Sequence, residues 1–215
     1  MQEFKFSILA SDTVTFSFSK GELLVLVIKA KTGPFKGSWA LPGGLVRPFE
    51  SIEESVCKRL SQYVRLNNFY MEQLFTFGAL NRDPSGRIVS VSYLVLMPQI
   101  SIKHADDAQW IPVRKLPKLA YDHNQIIKLA LKRLKDKLNY TNICFALMPD
   151  IFTFSELQDR YETILGHSLD KRNFRKKILS AKLIRFIGKM KKGEPNRPAR
   201  LYRFSDNKIK NVDIL

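Results

Sequence analysis

The stretch Gly43 to Leu66, GGLVRPFESIEESVCKRLSQYVRL, carries residue types that metal-assisted phosphate chemistry uses. A Gly-Gly turn lets a bound group approach the backbone, Glu50 is a lone oxygen donor, and a helix follows. Mg²⁺ is a hard ion that takes oxygen ligands, so activating water against a pyrophosphate needs further carboxylates on that helix. Residues 59, 62 and 63 stand at i, i+3 and i+4, which would place them on one helix face. They are Arg59, Gln62 and Tyr63: a cation, an amide and a phenol. Arg59 repels a divalent metal and cannot ligate it. The spacing predicts a site that keeps its frame and lacks its metal chemistry.

The elements that must position this stretch are legible around it. Ser51 with Glu54 forms a capping box, and Ile52, Val56, Leu60 and Val64 recur every four residues as the buried stripe of the helix. Glu53 and Glu54 fall in its first turn, where capping and the helix dipole account for them. Upstream, VTFSFSKGELLVLVIK reads as a strand from Val14 to Phe18, a Lys-Gly turn and a buried strand from Glu22 to Ile28. LFTFGAL is a further short strand, and IVSVSYLVLMP another, ended by Pro98. YDHNQIIKLALKRLKDKL is a second amphipathic helix with Ile127, Ala130, Leu131, Leu134 and Leu138 inward. Strands interleaved with helices argue an α/β domain over 1–138.

From 139 to 215 the pattern changes, which predicts a second domain. Ser155 with Gln158 is expected to cap a helix whose core face is Leu157, Tyr161, Ile164 and Leu165. After the turn LGHSLD, Asp170 caps a second helix, Lys171 to Ala181, with Phe174, Ile178 and Leu179 inward. Two extended segments, Leu183 to Met190 and Arg200 to Phe204, flank a Lys-, Gly- and Pro-rich tip. Helix, turn, helix and basic hairpin is the layout of a winged helix-turn-helix.

Charge points the same way. The net charge is +16, and 13 Lys/Arg against one acid, Glu194, put +12 into residues 171–203. A polyanion is the partner this implies. A helix from Lys171 entering the major groove would place Lys171, Arg172, Asn173 and Arg175 nearest the base edges. Lys176 and Lys177 would contact phosphate, Arg197 and Arg200 would reach from the wing, and Ser155 is a further candidate DNA contact. A membrane partner is disfavoured, because no exposed apolar helix face opposes these cations and the longest apolar run is Leu23 to Ile28. The N-terminus lacks a basic region followed by an apolar core, so no secretory signal is expected. Cys57 and Cys144 lack metal-ligand spacing, as do His104, His123 and His167, and suit a reducing cytoplasm.

Gly44, Glu50, Lys58, Arg59, Leu60, Gln62, Tyr63, Arg65 and Leu66 fall on the positions of the Nudix box, and GSWALPGG upstream supports the alignment. The N-terminal half thus resembles a Nudix domain, a Nudix-like α/β/α sandwich, with the metal-binding glutamates missing. Joined to FTFSELQ, LDKRNFRKKIL and RPARLYRF, it resembles the NrtR-type regulators of NAD metabolism. That resemblance implies a Nudix-like domain that senses ADP-ribose without hydrolysing it, and a homodimer whose winged helices bind double-stranded DNA at a palindromic operator. No cofactor is implied, only an effector. Arg47, Arg59 and Arg82 are the candidates to hold its phosphates, and Trp39, Phe49 or Tyr63 to stack on its base. Two alternatives stay open: a divergent hydrolase of ADP-ribose-like substrates, and a regulator that answers to a sugar or phosphosugar.

Overall fold

A computed structural model describes residues 6–100, 102, 106–191, 198–212 and 214. Seven strands form one mixed sheet: β1 (Ile8–Ser19), β2 (Glu22–Lys29), β3 (Trp39–Ala40), β4 (Gly43–Leu45), β5 (Tyr70–Phe77), β6 (Ile88–Leu96) and β7 (Ala108–Pro112). β1 lies at its centre, antiparallel to β2 and β4 and parallel to β6. The turn between β1 and β2 puts both Lys20 and Gly21 at positive φ, as a tight hairpin requires. β1 begins six residues before the expected strand, and β3, β4 and β7 have no counterpart in the sequence reading.

The sheet is covered on both faces. On one, α1 (Ile52–Ser61) buries Val56 and Leu60 against Leu24, Leu26, Val91, Tyr93 and Trp110. On the other, α2 (His123–Tyr140) buries Ile126, Ile127, Ala130, Leu134 and Leu138 against Val14, Phe16, Leu94 and Leu96. This is the expected α/β/α sandwich. The expected division at 139 falls within the last turn of α2, and the apolar core continues from β1 through α2 into the C-terminal part.

That part holds a short 3₁₀ helix (Ile143–Leu147), β8 (Phe152–Thr153), α3 (Phe154–Leu165), α4 (Lys171–Ser180), β9 (Ile184–Lys191) and β10 (Ala199–Phe204). The strands form a sheet in the order β8-β10-β9, so the expected hairpin gains a third strand and makes a winged helix. The cap of α3 is Thr153, not Ser155: Thr153 accepts from the Glu156 amide while Glu156 accepts from the Thr153 amide. Phe154 is therefore helical and buried, and Ser155 is an exposed first-turn residue. Gly166 ends α3 in the left-handed conformation, and Asp170 caps α4 through the Asn173 amide at 2.8 Å. Leu179 is 39% exposed and lies off the inward stripe formed by Phe174 and Ile178.

α1 is shorter than its sequence pattern. It stops at Ser61, because the amides of Gln62 and Tyr63 bond three residues back to Arg59 and Leu60 and tighten the last turn. Tyr63 consequently turns into the core, at 6% exposure, and does not share a face with Arg59 and Gln62.

A buried charge network fastens the sheet to α2. Arg82, whose side chain is 3% exposed, donates to Asp12 at 3.0 Å and to both oxygens of Asp122 at 3.0 and 2.8 Å. Ser90 donates to Asp12 at 2.6 Å. The Leu41 amide donates to Nδ1 of His123, which leaves the ring proton on Nε2, 3.4 Å from Asp12. Burial alone would raise the Asp12 pKa; His123, Ser90 and Arg82 outweigh it and hold the group at about 2, against an ordinary 3.8. A lowered folded-state pKa stabilises the fold above the unfolded value, and a shift of this size is worth about 2 kcal/mol, lost as pH falls from about 4 toward 2. Asp12→Asn is expected to flatten that acid limb in urea denaturation followed from neutral pH downward. Parallel limbs for the two proteins would contradict the assignment.

The other face of β1 gives a contrasting expectation. Ser11, Thr13 and Thr15 are fully buried, and their hydroxyls find no partner among the described residues. Removing an unsatisfied buried hydroxyl costs little, whereas removing a donor to a buried carboxylate costs about 1–3 kcal/mol. Thr15→Val should leave the melting temperature unchanged or raise it, and Ser90→Ala should lower it.

Candidate functional site

The glycine turn is shaped by what lies against it. A side chain at Gly43 would place its Cβ 2.4 Å from an Asp12 oxygen and 2.5 Å from the Ser11 carbonyl, so the backbone itself excludes any other residue. Gly44 has a φ of 152°, and a Cβ there would sit 3.0 Å from the Arg59 guanidinium. Arg59 thus lies flat over the turn, its Nη2 donating to the Leu45 carbonyl at 3.3 Å. A fixed cation stands where the sequence frame would have put a carboxylate.

The carboxylates nearby are each engaged. Glu50 accepts from the Arg47 amide at 3.0 Å and from Lys58 at 3.4 Å; the Arg47 amide first, then neighbouring Ser55 and Lys58, hold its pKa below the usual range. Glu53 accepts from the Tyr93 hydroxyl at 2.5 Å, which lowers its pKa too. Glu54 is taken by the Ser51 amide at 2.8 Å. Among the described residues no three His, Cys, Asp or Glu side chains come together in a group that could hold a metal. The cations around the glycine turn are the Arg59 guanidinium, the exposed Arg47 and Lys58, which pairs with Glu50, beside the capped N-terminus of α1.

The sequence candidates are placed unevenly around this turn. Arg47 and Arg59 flank it, and Phe49 is fully exposed in the loop leading to α1. Trp39, half-buried on β3, has the Lys29 ammonium 4.0 Å from its ring centroid. Arg82 is not open to a ligand in this structure, since Asp12 and Asp122 occupy its guanidinium and bury it. Asp12, Asp122 and His123 shape the site from beneath, and sequence reasoning did not single them out for this. Their partners lie 70, 40 and 82 positions away along the chain, beyond the reach of a local pattern. His123 is structural, His167 is exposed, and His104 lies outside the described residues.

On the winged helix, Lys171, Arg172, Asn173, Arg175 and Lys176 are exposed along α4, and Lys177 is half-buried. Arg200 is exposed on β10, and Arg197 lies outside the described residues. Arg175 is held from two sides: its guanidinium lies 4.8 Å from the Phe154 ring centroid and donates to the Tyr202 hydroxyl at 3.1 Å. No described helix is long and apolar enough to cross a membrane.

Residues 10–131 match the NUDIX domain, and residues 144–204 match the NrtR DNA-binding winged helix domain. The chain is 35% identical over 202 residues to a protein of Acinetobacter baylyi named ADPR responsive transcriptional repressor NtrR, covering 90% of this chain and 80% of that one. It is also 36% identical over 107 residues to an ADP-ribose pyrophosphatase of Methanocaldococcus jannaschii, covering 48% of this chain and 63% of that one. The crystal structure of Shewanella oneidensis NrtR complexed with a 27mer DNA superposes with a TM-score of 0.83 at 34% identity, over 92% of this chain and 93% of that one. With a Nudix sheet sandwich and an NrtR winged helix joined in this order, and a likeness that runs through both, the chain belongs to the NrtR family of Nudix-related transcriptional regulators.

Proposed function

We propose that this protein is a transcriptional repressor that leaves its operator when the Nudix domain binds ADP-ribose, and that this domain binds the nucleotide without cleaving it. The observation that carries this reading is Arg59 lying over Gly44 in a chain that also bears a basic winged helix. The guanidinium supplies the positive charge a pyrophosphate needs and none of the oxygen ligands a metal needs. The Acinetobacter relative's name and the DNA-bound Shewanella structure support the partners. α4 would enter the major groove, with Arg172 and Asn173 reading bases and Lys171, Lys176 and Lys177 positioning the protein on phosphate. A homodimer would read a palindromic operator controlling NAD-metabolism genes; exposed Ile8 and Leu45, on one face of β1 and β4, offer an apolar contact for a second copy.

A route between the two sites runs along α2. Its first residue, His123, and the preceding Asp122 are locked into the network beneath the glycine turn. Twelve positions on, about 18 Å along the helix at 1.5 Å per residue, Lys135 donates to the Leu165 carbonyl at 3.0 Å. Leu165 precedes Gly166, the turn into the DNA-reading helix α4. A cleft of about 600 Å³ lined by Glu22, Arg114, Lys135, Glu162 and His167 leaves room for this junction to shift. A ligand that favours one setting of α2 would favour one setting of α4.

The test is retention of DNA from the gene's own upstream region, titrated with ADP-ribose at fixed salt while nucleotide hydrolysis is followed in the same tubes. Release without hydrolysis is expected; Mg²⁺-dependent phosphate or AMP release would overturn the reading, and release by a pentose or phosphosugar instead would change the effector. Lys135→Met should bind DNA and ADP-ribose with nearly wild-type affinity and lose most of the coupling between them, which in such systems is about 5- to 150-fold. Unchanged coupling in that variant would remove α2 from the route.

A further inference from the structure

An alternating chain of aromatic rings and guanidinium groups links α3 and α4 to the wing. It begins at Phe154, against which Arg175 lies at 4.8 Å, and passes through the hydrogen bond from Arg175 to the Tyr202 hydroxyl. Tyr202 stands 6.1 Å from Phe186 of β9, and the Arg200 guanidinium lies 5.5 Å from the Phe186 ring centroid. Tyr202 and Phe186 are register partners on the face of the wing that meets Arg175 of α4; a register irregularity separates this pair from Arg200, which its contact with the Phe186 ring brings to the same side.

Phe186 ends this chain at 46% exposure, with Met190 beside it at 41%. A single exposed apolar side chain needs no explanation. This one has a cation against it, the Arg200 guanidinium, which has no acidic partner among the described residues, while Arg185, Lys189 and Arg203, the last paired with Asp150, line the surface that borders it. A protein partner for so basic a patch would have to be acidic throughout. A DNA duplex already seated on α4 presents the fitting surface, in which apolar deoxyribose faces alternate with phosphates.

Resting on the DNA-binding reading above, we propose that Phe186 is a DNA-contacting residue that packs against deoxyribose next to the groove occupied by α4, with Arg200 held against its ring to meet the adjoining phosphate. Arg175 in turn is a positioning residue. Its guanidinium is used between Phe154 and Tyr202, and it fixes the angle between α4 and the wing.

Salt dependence separates these roles, because only charged contacts release counterions. Full-length protein and variants would be titrated, at several salt concentrations, against a duplex that the wild type selects from a random-sequence pool. Phe186→Ala is expected to weaken binding about 10-fold at every salt concentration with the slope of log affinity against log salt unchanged. Arg200→Ala should reduce that slope by about one, and Phe186→Tyr should restore most of the affinity. Arg175→Ala should weaken binding equally across operator variants and leave base preference intact. Phe186→Ala with wild-type affinity, or with a changed oligomeric mass and no change in DNA affinity at fixed oligomer, would overturn the proposal. Failure of the wild type to select any duplex would instead strike the DNA-binding reading itself.

Discussion

The site depends on one buried arrangement of charge, Arg82 between Asp12 and Asp122. Ionised groups removed from water are costly unless their hydrogen bonds are satisfied, and a lone buried charge is worse than none. Here the satisfaction is nearly complete: Asp12 also accepts from Ser90 and faces His123, and His123 accepts from the Leu41 amide. The benefit is geometric. Asp12 on the central strand, the loop carrying Arg82, the start of α2 and the segment leading into Gly43 are held at fixed separations by groups that cannot be left unpaired. Only then is the backbone close enough to Asp12 for Gly43 to be obligatory, and only then does Arg59 find an open surface above Gly44.

A regulator built on a hydrolase fold faces a simple electrostatic problem. A pyrophosphate needs positive charge, and a cluster of glutamates supplies it only through a metal. In the proposed reading Arg59 would supply that charge in place of the metal and, by its own charge, oppose one. The remaining acids are absorbed locally: Glu54 caps α1, Glu50 ties the loop to Lys58, and Glu53 holds Tyr93. On that reading the cost would be catalytic, since a guanidinium fixed on a carbonyl does not activate water. What remains suits recognition.

The sequence made some of this legible, for physical reasons that differ from element to element. The capping boxes, the four-residue stripes and the Lys-Gly hairpin are local, so the strands β2 and β6 and the helices α2 and α4 followed from neighbours in the chain. Short strands such as β3 and β8, two residues each, exist only because a distant partner pairs with them, and no local pattern marks them. The cap of α3 was misplaced by two residues because Ser155–Gln158 and Thr153–Glu156 are competing capping patterns, and burial of Phe154 decides between them. Tyr63 stood at the right spacing for a helix face, yet the helix ended before it and the core claimed its ring. Arg47, Arg59 and the α4 cations were visible by type and position. The burial of Arg82 between two carboxylates was not, nor were the contacts of Arg175 with Phe154 and Tyr202, because charge alone does not show which partners a cation meets.

The central claim is that Arg59 does the electrostatic work that a metal does in a hydrolase of this fold. The most direct test is calorimetric titration of ADP-ribose into the protein with a chelator present and with Mg²⁺ present, beside the same titrations of Arg59→Ala. The account predicts one affinity for the wild type in both buffers and a loss of about 1.5–3 kcal/mol, the worth of a charge-assisted hydrogen bond, in the variant. Binding that requires Mg²⁺ and survives the loss of Arg59 would contradict it.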